Sequence, residues 1–544
     1  MLIEFHVIQD HGPSNMNRGQ DGRPKTAFYG GTQRLRVSSQ CWKRALRQPR
    51  PADRPNAEPG IFEKTVGSSH FGVRTRLLPE KVAERWKQVV PDAPFVDGIK
   101  AAVSIIAKKD GKSEDAKADR RIRTPQAIYL DLDREVERII SVLQELHREN
   151  RLELLADESE IFADNLKAAS DAIRWEGKDA AKAIAWESVK KPEAWKLLLE
   201  ALEALDPSER PAGFEPDPDP AGLVPTYELA VGVLQGLQAI EARNAKQASE
   251  ILKAFAPPRN KNSKGRGRVS LADLLKQTAN QPVSAADIAL FGRMTTSEAF
   301  CDVEAACQVA DAISTHPVDI ETDYFTAVDD LDLGSGAAHV GEAEFASAVF
   351  YHNLAVDYDA LLRNLGAELP GEKTADAALK QAAAEARETA AKAVEGLLRA
   401  IMHNVPSGKI NSHAHNQPPS LILIEVKPQN LATNYLTAFH EPARAGERED
   451  GTTETILTDS VQKLLAFARY RDRKLPIPGT KRLLFAFDPA TESAIARLRE
   501  SLKLGEKSPL GDDRFFENSS LQTCETFDDL VSALNAAIRE GGAA

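Results

Sequence analysis

The chain has 544 residues, of which 42% are hydrophobic and 28% charged, and it carries a formal net charge of −12. That length exceeds one ordinary domain, so a core domain with a large insertion is expected in a soluble chain with a real core. Glu4 and His6 interrupt the only early apolar run, and no stretch approaches the roughly 18–20 continuous apolar residues of a membrane span, so neither a signal peptide nor a membrane anchor is expected. Cys41, Cys301, Cys307 and Cys524 are scattered with no C-x-x-C pair. A disulfide scaffold and a zinc site are therefore not expected, and a reducing cytoplasm fits.

Leu2–Ile8 reads as a half-buried strand followed by a loop rich in Pro and Asn. Thr26–Tyr29 and Gln33–Val37 can pair as a hairpin across Gly30-Gly31, a turn suited to positive φ. Ser38 or Ser39 then caps a helix in which Trp42, Ala45 and Leu46 form an apolar face. Lys43 and Arg47 lie at i, i+4 on the other side, with Arg44 beside them. Residues 1–50 hold nine Lys or Arg and only three acids (Glu4, Asp10, Asp21). Free N–H groups and serine hydroxyls at a helix start, followed by three cations, suit phosphate oxygens. Arg18, Lys25, Arg34 and Arg36 add to the same island, so RNA or DNA is preferred to a merely solvated basic face.

Gln48–Pro59 is a proline-rich linker, and Ile61–Lys87 a helical stretch with Pro79 marking a start. Val103–Ile106 is too short to classify and Lys108–Arg123 is a charged loop. Thr124-Pro125 is expected to open a helix carrying Leu130, Val136, Ile139, Ile140, Leu143 and Leu146 at helical spacing. Further helices are expected through Ala163–Leu205 and Tyr227–Phe255, separated by the Pro216–Gly222 loop. The run Arg259–Arg268 holds Arg259, Lys261, Lys264, Arg266 and Arg268 and no acid. It reads either as a solubilising loop or as a sequence-independent contact to DNA phosphates.

Ala299–Ile313 is amphipathic and leads into a strand at Asp319–Val328, a glycine-rich tip at Gly334–Gly341 and a return strand at Glu344–Tyr351. Helices are expected at Ala375–His403, Ser460–Tyr470 and Phe527–Arg539, and strands at Leu421–Val426 and Arg482–Phe487. Without regular βαβ alternation, the class expected is α+β. Asp329-Asp330 would point to opposite faces of a strand and make a poor metal pair. His413 and His415 form an H-x-H with no evident third ligand. No Ser-His-Asp order, Walker loop or G-x-G-x-x-G stands in a supporting context, so no cofactor is expected.

Pro13–Arg18 (PSNMNR), Pro24–Gly31 (PKTAFYGG), Arg34–Arg47 (RLRVSSQCWKRALR), Ile288–Met294 (IALFGRM) and Thr315–Leu331 (THPVDIETDYFTAVDDL) closely resemble the CasC family. So do Glu342–Tyr351 and the Val405–Ala414 loop (VPSGKINSHA). CasC is the repeated backbone subunit of the type I-E CRISPR surveillance complex, Cascade. The resemblance covers roughly residues 1–100 and 286–445 and does not align about 150–280.

The resemblance implies an RRM-like (ferredoxin-like) palm in 1–60, 286–314 and 352–544. It implies helical fingers in 61–285, enlarged at about 150–280, and a β-hairpin thumb in 315–351. Several copies would polymerise on one crRNA in contact with target DNA and with the CasA, CasB, CasD and CasE subunits, and sequence would be read by base pairing. By the family motif, Arg18, Lys25, Ser38, Gln40, Lys43, Arg44 and Arg47 would hold RNA phosphates and sugars. The Lys409 loop would meet RNA or the adjacent subunit. Met294 and Val340, at the thumb tip, would wedge around a displaced nucleotide. The resemblance implies no catalysis. The alternatives are a metal-dependent endoribonuclease of the type III backbone sort, with Asp21 as its acid, and a stand-alone single-strand-binding protein.

Overall fold

The computed structural model describes residues 1–48, 57–90, 96–104, 106, 124, 127–152, 155, 192–205, 239–240, 247, 271–279, 281–295, 297–331, 337–367, 377–447, 451, 453–504, 515 and 521–543. They fall into two compact units. The first comprises Met1–Gly72, Pro282–Arg293 and Val303–Ala544, and the second Val73–Gln281 and Met294–Asp302. The described strands in chain order are β1 (Leu2–Ser14), β2 (Thr26–Tyr29), β3 (Thr32–Val37), β4 (Val73–Thr75), β5 (Ile128–Leu130), β6 (Cys307–Val309) and β7 (Ala312–Ser314). They continue with β8 (Glu321–Val328), β9 (Ala337–Asp357), β10 (Leu421–Lys427), β11 (Gly446–Glu447), β12 (Thr453–Glu454), β13 (Lys481–Ala486) and β14 (Leu521–Cys524).

The first unit is built on one large mixed sheet of order β14-β13-β10-β1-β9-β7-β3-β2, with β6 and β8 also paired to β9. The β13–β14 pair is parallel and its other ladders are antiparallel. Every residue of Leu2–Ile8 and of β10 is buried, which requires cover on both faces. Alternation sends Ile8 with Tyr351, Leu421 and Leu423 to one face, under the helices Ile456–Lys474 and Pro489–Leu504. The opposite face carries Val7 and His352, with the helices Ser39–Arg47, Tyr358–Leu365 and Ala377–His403 in that layer. The half-buried strand expected at Leu2–Ile8 is thus fully buried and runs on to Ser14.

The Gly30-Gly31 turn forms as expected, with Tyr29 opposite Thr32 and φ of +59° and +76°. A side chain at Gly30 would also collide with the His440 carbonyl. Gly30→Ala is therefore expected to cost about 1–3 kcal/mol, seen as a lower urea midpoint with an unchanged denaturant slope.

Tertiary pairing overrides local pattern in several places. Ala299–Ile313 forms no helix but supplies β6 and β7, because β9 offers both an open edge. Ile61–Lys87 splits into helices Ile61–Val66 and Leu78–Val89 around β4. The first of these packs Phe62 against the long helix Ala377–His403, so residues 61–72 join the sheet unit.

In the second unit, the helix expected from Thr124-Pro125 begins only at Leu132 and ends at Arg148. Ile128-Tyr129-Leu130 pairs with β4 instead, and Asp133 and Glu135 in the first turn suit the positive end of the helix dipole. Trp86, Ile99, Ile139, Leu143 and Phe300 are fully or almost fully buried in this unit's core. Most of the expected helices at 163–205 and 227–255, the 108–123 loop and the whole 259–268 loop lie outside the described residues; Pro192–Glu203 is helical.

All four cysteines are free thiols. Among the described residues no helix is long and apolar enough to cross a membrane.

Candidate nucleic-acid interface

The loop after β1 is fixed from beneath. Asn15 Nδ2 donates to the carbonyls of Gly22 (3.0 Å) and Glu344 (2.8 Å). Met16 is buried with Leu35, Val37, Trp42 and Phe350. Asn17 Oδ1 accepts from Ser38 N (3.0 Å), tying the loop to the start of the helix Ser39–Arg47. Trp42 stacks on His352 with ring centroids 4.5 Å apart, so the apolar face of that helix is the one its spacing predicts.

The start of this helix corrects the sequence reading. Ser38 makes no side-chain cap and is buried, and the Ser39 N–H donates to Asp311 Oδ1 at 2.7 Å. The other Asp311 oxygen takes Arg36 Nε at 2.6 Å. A carboxylate of the protein thus occupies the positive helix end that was expected to await a phosphate.

Several of the cations are likewise committed. Arg34 is fully buried, its guanidinium donating to the carbonyls of Tyr29, Ser314 and Phe439. Arg47 pairs with the buried Asp287 at 2.7 Å, donates to Gly72 O and lies over Phe71. Arg23 meets Glu344 at 3.2 Å. By contrast, Arg18, Lys25, Lys43, Arg44 and Lys409 have no carboxylate partner among the described residues. Arg18, Gln40 and Arg44 are exposed, Lys25 and Lys43 half-buried.

These groups come from distant parts of the chain. Burial pushes the Cys41 thiol up, while the cations of Lys25 and Arg44 both pull it down. The Gly408 backbone rests on the Met16 carbonyl, where a side chain would collide, and brings Lys409 to the Asn15–Lys25 loop. Lys409 takes φ +50° and starts the short helix Ile410–His413. His413 is pushed down by burial and then by Lys409.

The β8–β9 hairpin stands out from the sheet, every residue of β8 exposed. Val340 is half-exposed and pairs with Thr326 within the ladder. The glycine-rich stretch is therefore already strand at 337–341, and Val340 lies below the turn rather than at its tip; residues 332–336 are outside the described set. No Lys or Arg occurs between Pro317 and Leu362, whereas Asp319, Glu321, Asp323, Glu342 and Glu344 do, so the hairpin offers phosphates nothing. In the second unit Met294 is 93% exposed.

The candidate metal residues do not assemble. Asp329 accepts from Leu331 N in a turn. His415 is buried against the Pro406 carbonyl (2.9 Å), while His413 faces Phe345. Among the described residues only Glu4, His6 and Glu425 place three ligand atoms together. The Lys427 ammonium bonds both of those carboxylates, so a cation already sits there. Periodicity alone marked this strand pair as core and missed the polar cluster. The acid–base alternation Glu4-x-His6 and Glu425-x-Lys427 was the available signal.

The model of the family described as CT1975-like protein matches residues 3–194 and 225–500. None of the curated proteins matches the chain. A chain in a solved structure described as a CRISPR RNA-guided surveillance complex, pre-nicking, is 22% identical with a TM-score of 0.55, covering 99% of this chain and 100% of that one. A chain in another, described as a CRISPR RNA-guided surveillance complex, is 17% identical with a TM-score of 0.41, covering 99% of each. The first likeness is one of fold.

Proposed function

Since the chain belongs to the CT1975-like protein family, we propose that it is a crRNA-binding backbone subunit of a CRISPR RNA-guided surveillance complex. The observation that carries this reading is that Arg18, Lys25, Lys43, Arg44 and Lys409, all in the sheet unit, have no carboxylate partner among the described residues of a chain whose net charge is −12. A surface whose cations neutralise phosphates binds nucleic acid regardless of sequence, which is what presenting a guide for pairing requires. Gln40 supplies a polar contact beside them, and Ser38 and Arg47 act by positioning the helix.

We read the order β10-β1-β9-β7, with helices on the connections, as an RRM-like palm. Its faces are covered by helices, so bases have no open sheet to stack on and the RNA follows the loop-and-helix surface. The second unit then corresponds to the fingers and the β8–β9 hairpin to the thumb. The type I-E assignment, the partners CasA, CasB, CasD and CasE and target DNA, and the wedge roles of Met294 and Val340 belong to the same reading. Their exposure supports the wedge, since an apolar side chain kept out of the core is available to a base.

The subunit is read as non-catalytic. Asp21 accepts from Arg23 N in a turn and, among the described residues, forms no cluster of metal-ligating groups. Co-expression with the guide RNA and the neighbouring subunits, followed by native mass spectrometry, is expected to give several copies on one uncut RNA. Asp21→Ala is expected to assemble unchanged. A single copy, or RNA cut at fixed spacing in an Asp21-dependent way, overturns the scaffold reading in favour of the endoribonuclease.

A further inference from the structure

The segment 406–417 carries Lys409 and is seated on the far end of β1. Gln9 Nε2 donates to the Gln417 carbonyl at 2.7 Å, and Ser420 N donates to the Ile8 carbonyl at 2.9 Å. His415 Nε2 donates to the Pro406 carbonyl at 2.9 Å and closes the segment on itself. Since a carbonyl only accepts, that bond fixes the tautomer and leaves Nδ1 of the neutral ring as a lone pair.

Gln9 and His11 flank the exposed Asp10 and point to the face of β1 that carries Val7. The His11 ring stands edge-on to the rings of Phe350 and His415, with centroids 5.7 and 6.4 Å away. Gly12 leaves room for the Gln417 amide, since a side chain there would come within 3.2 Å of it. Gln9, His11 and His415 are at most 1% exposed. Burial, then the neighbouring His415, pushes His11 down to about 3, against the pull of the Gln417 side chain and the His415 backbone. The ring is therefore neutral at neutral pH, with one N–H and one lone pair.

Gln9 Oε1, both His11 nitrogens, His415 Nδ1 and Gln417 Oε1 are buried with no hydrogen-bond partner in the protein. Four of these five atoms are acceptors, because only one His11 nitrogen carries hydrogen, and acceptors cannot satisfy one another. Buried polar atoms left bare are costly, so a donor is required. Two imidazoles are too few ligands for a metal centre, whereas water donates two hydrogens and accepts the one that His11 offers. We infer that ordered water fills this seat and that His11 is, through it, a positioning residue for Lys409. The inference rests on the RNA-binding reading above, in which Lys409 meets phosphate.

The test uses the full chain. His11→Phe keeps a ring and removes its nitrogens, and hydrogen exchange at the amides of Ser412, His413 and Ala414 is expected to quicken about tenfold. Those amides bond to the Lys409 and Ile410 carbonyls, so they report on the segment. Exchange in β10 should stay within about twofold of wild type. His11→Gln, which restores a donor and an acceptor, should return the segment to wild-type protection. Gln417→Met removes an acceptor from the other side and gives the same reading where His11→Phe does not fold. For single-stranded RNA at fixed salt, His11→Phe and Lys409→Ala are each expected to weaken binding about fivefold, and together by no more than Lys409→Ala alone. A crystallographic map that resolves solvent should place water on at least two of the four side chains. A seat without water, unchanged exchange, exchange that rises equally in β10, or additive losses overturn the inference. Unchanged binding by Lys409→Ala overturns the RNA role of that lysine, and exchange then decides the seat alone.

Discussion

Replacing Lys25, Lys43 and Arg44 together by alanine is expected to weaken binding of single-stranded RNA on the order of 100-fold at 0.15 M salt and to flatten the dependence of log K on log salt by about two. Each phosphate neutralised on a single strand contributes roughly 0.7 to that slope, and three cations are removed. The fold should survive. None of the three makes an ion pair among the described residues, and Lys43 sits over the Phe291 ring at 5.9 Å from its centroid, a loose cation–π interaction whose removal costs little. Arg47→Ala is the contrasting control. It leaves Asp287 as a buried carboxylate without its guanidinium, so stability and RNA binding should fall together. Filter binding at several salt concentrations, with a thermal melt of each variant, separates the outcomes. A triple variant with an unchanged salt slope places the phosphate-binding surface elsewhere.

The second large effect is expected at the buried cluster between β1, β10 and β13. Lys427 bonds Glu4 and Glu425, Arg482 bonds Glu425 at 2.8 Å, and the Tyr435 hydroxyl donates to Glu425 at 2.8 Å. Lys427→Met keeps the volume and removes the charge facing both carboxylates. The expected loss is about 3–5 kcal/mol, as for breaking a buried pair from one side. Adding Glu4→Gln should restore part of it, since the largest remaining penalty is then a neutral amide.

The same cluster sets the response to acid. Burial raises the Glu425 carboxyl, but the opposing pull of Lys427, His6 and Arg482 wins and holds it at about 2. Its contribution is complete above the unfolded value near 4.5 and is lost as pH falls toward 2. Burial lowers His6, His11 and His352 to about 3. Between pH 6.5 and 3 the unfolded chain binds protons that these rings do not, so stability declines as pH falls through that window. Burial raises Glu4, which works in the opposite direction above its unfolded value. Urea midpoints at about pH 7, 5.5 and 4 should fall in that order; a flat profile removes the histidines from the account.

Much of the architecture was legible in the sequence because its determinants are local. The Gly30-Gly31 turn needs positive φ at two successive positions, and the apolar spacing of Trp42 and Leu46 allows one buried face. The alanine-rich run at 375–403 has strong helix propensity and forms the helix Ala377–His403. The strands Leu421–Lys427 and Lys481–Ala486 each hold a run of apolar residues, Leu421–Ile424 and Leu483–Phe485, that is buried in the core. Segments of mixed character were decided by their neighbours. Cys307–Val309 and Ala312–Ser314 became strands because the 21-residue β9 had edges to fill, although their own pattern is amphipathic.

The candidate site divides in the same way. The sequence by itself determined that a basic island stands at the N-terminus of an acidic chain, since charge is a property of each residue. It also placed Lys25, Lys43 and Arg44 within that island. Only the tertiary structure decided which of its cations are available. Arg34, Arg36 and Arg47 are consumed by carbonyls and carboxylates of residues 287, 311, 314 and 439, hundreds of positions away. Lys409 is brought beside Met16 by the close approach of the Gly408 backbone, from a distant part of the chain. A cation's partner is fixed by distance in space, and chain order carries no record of that distance until the sheet has closed.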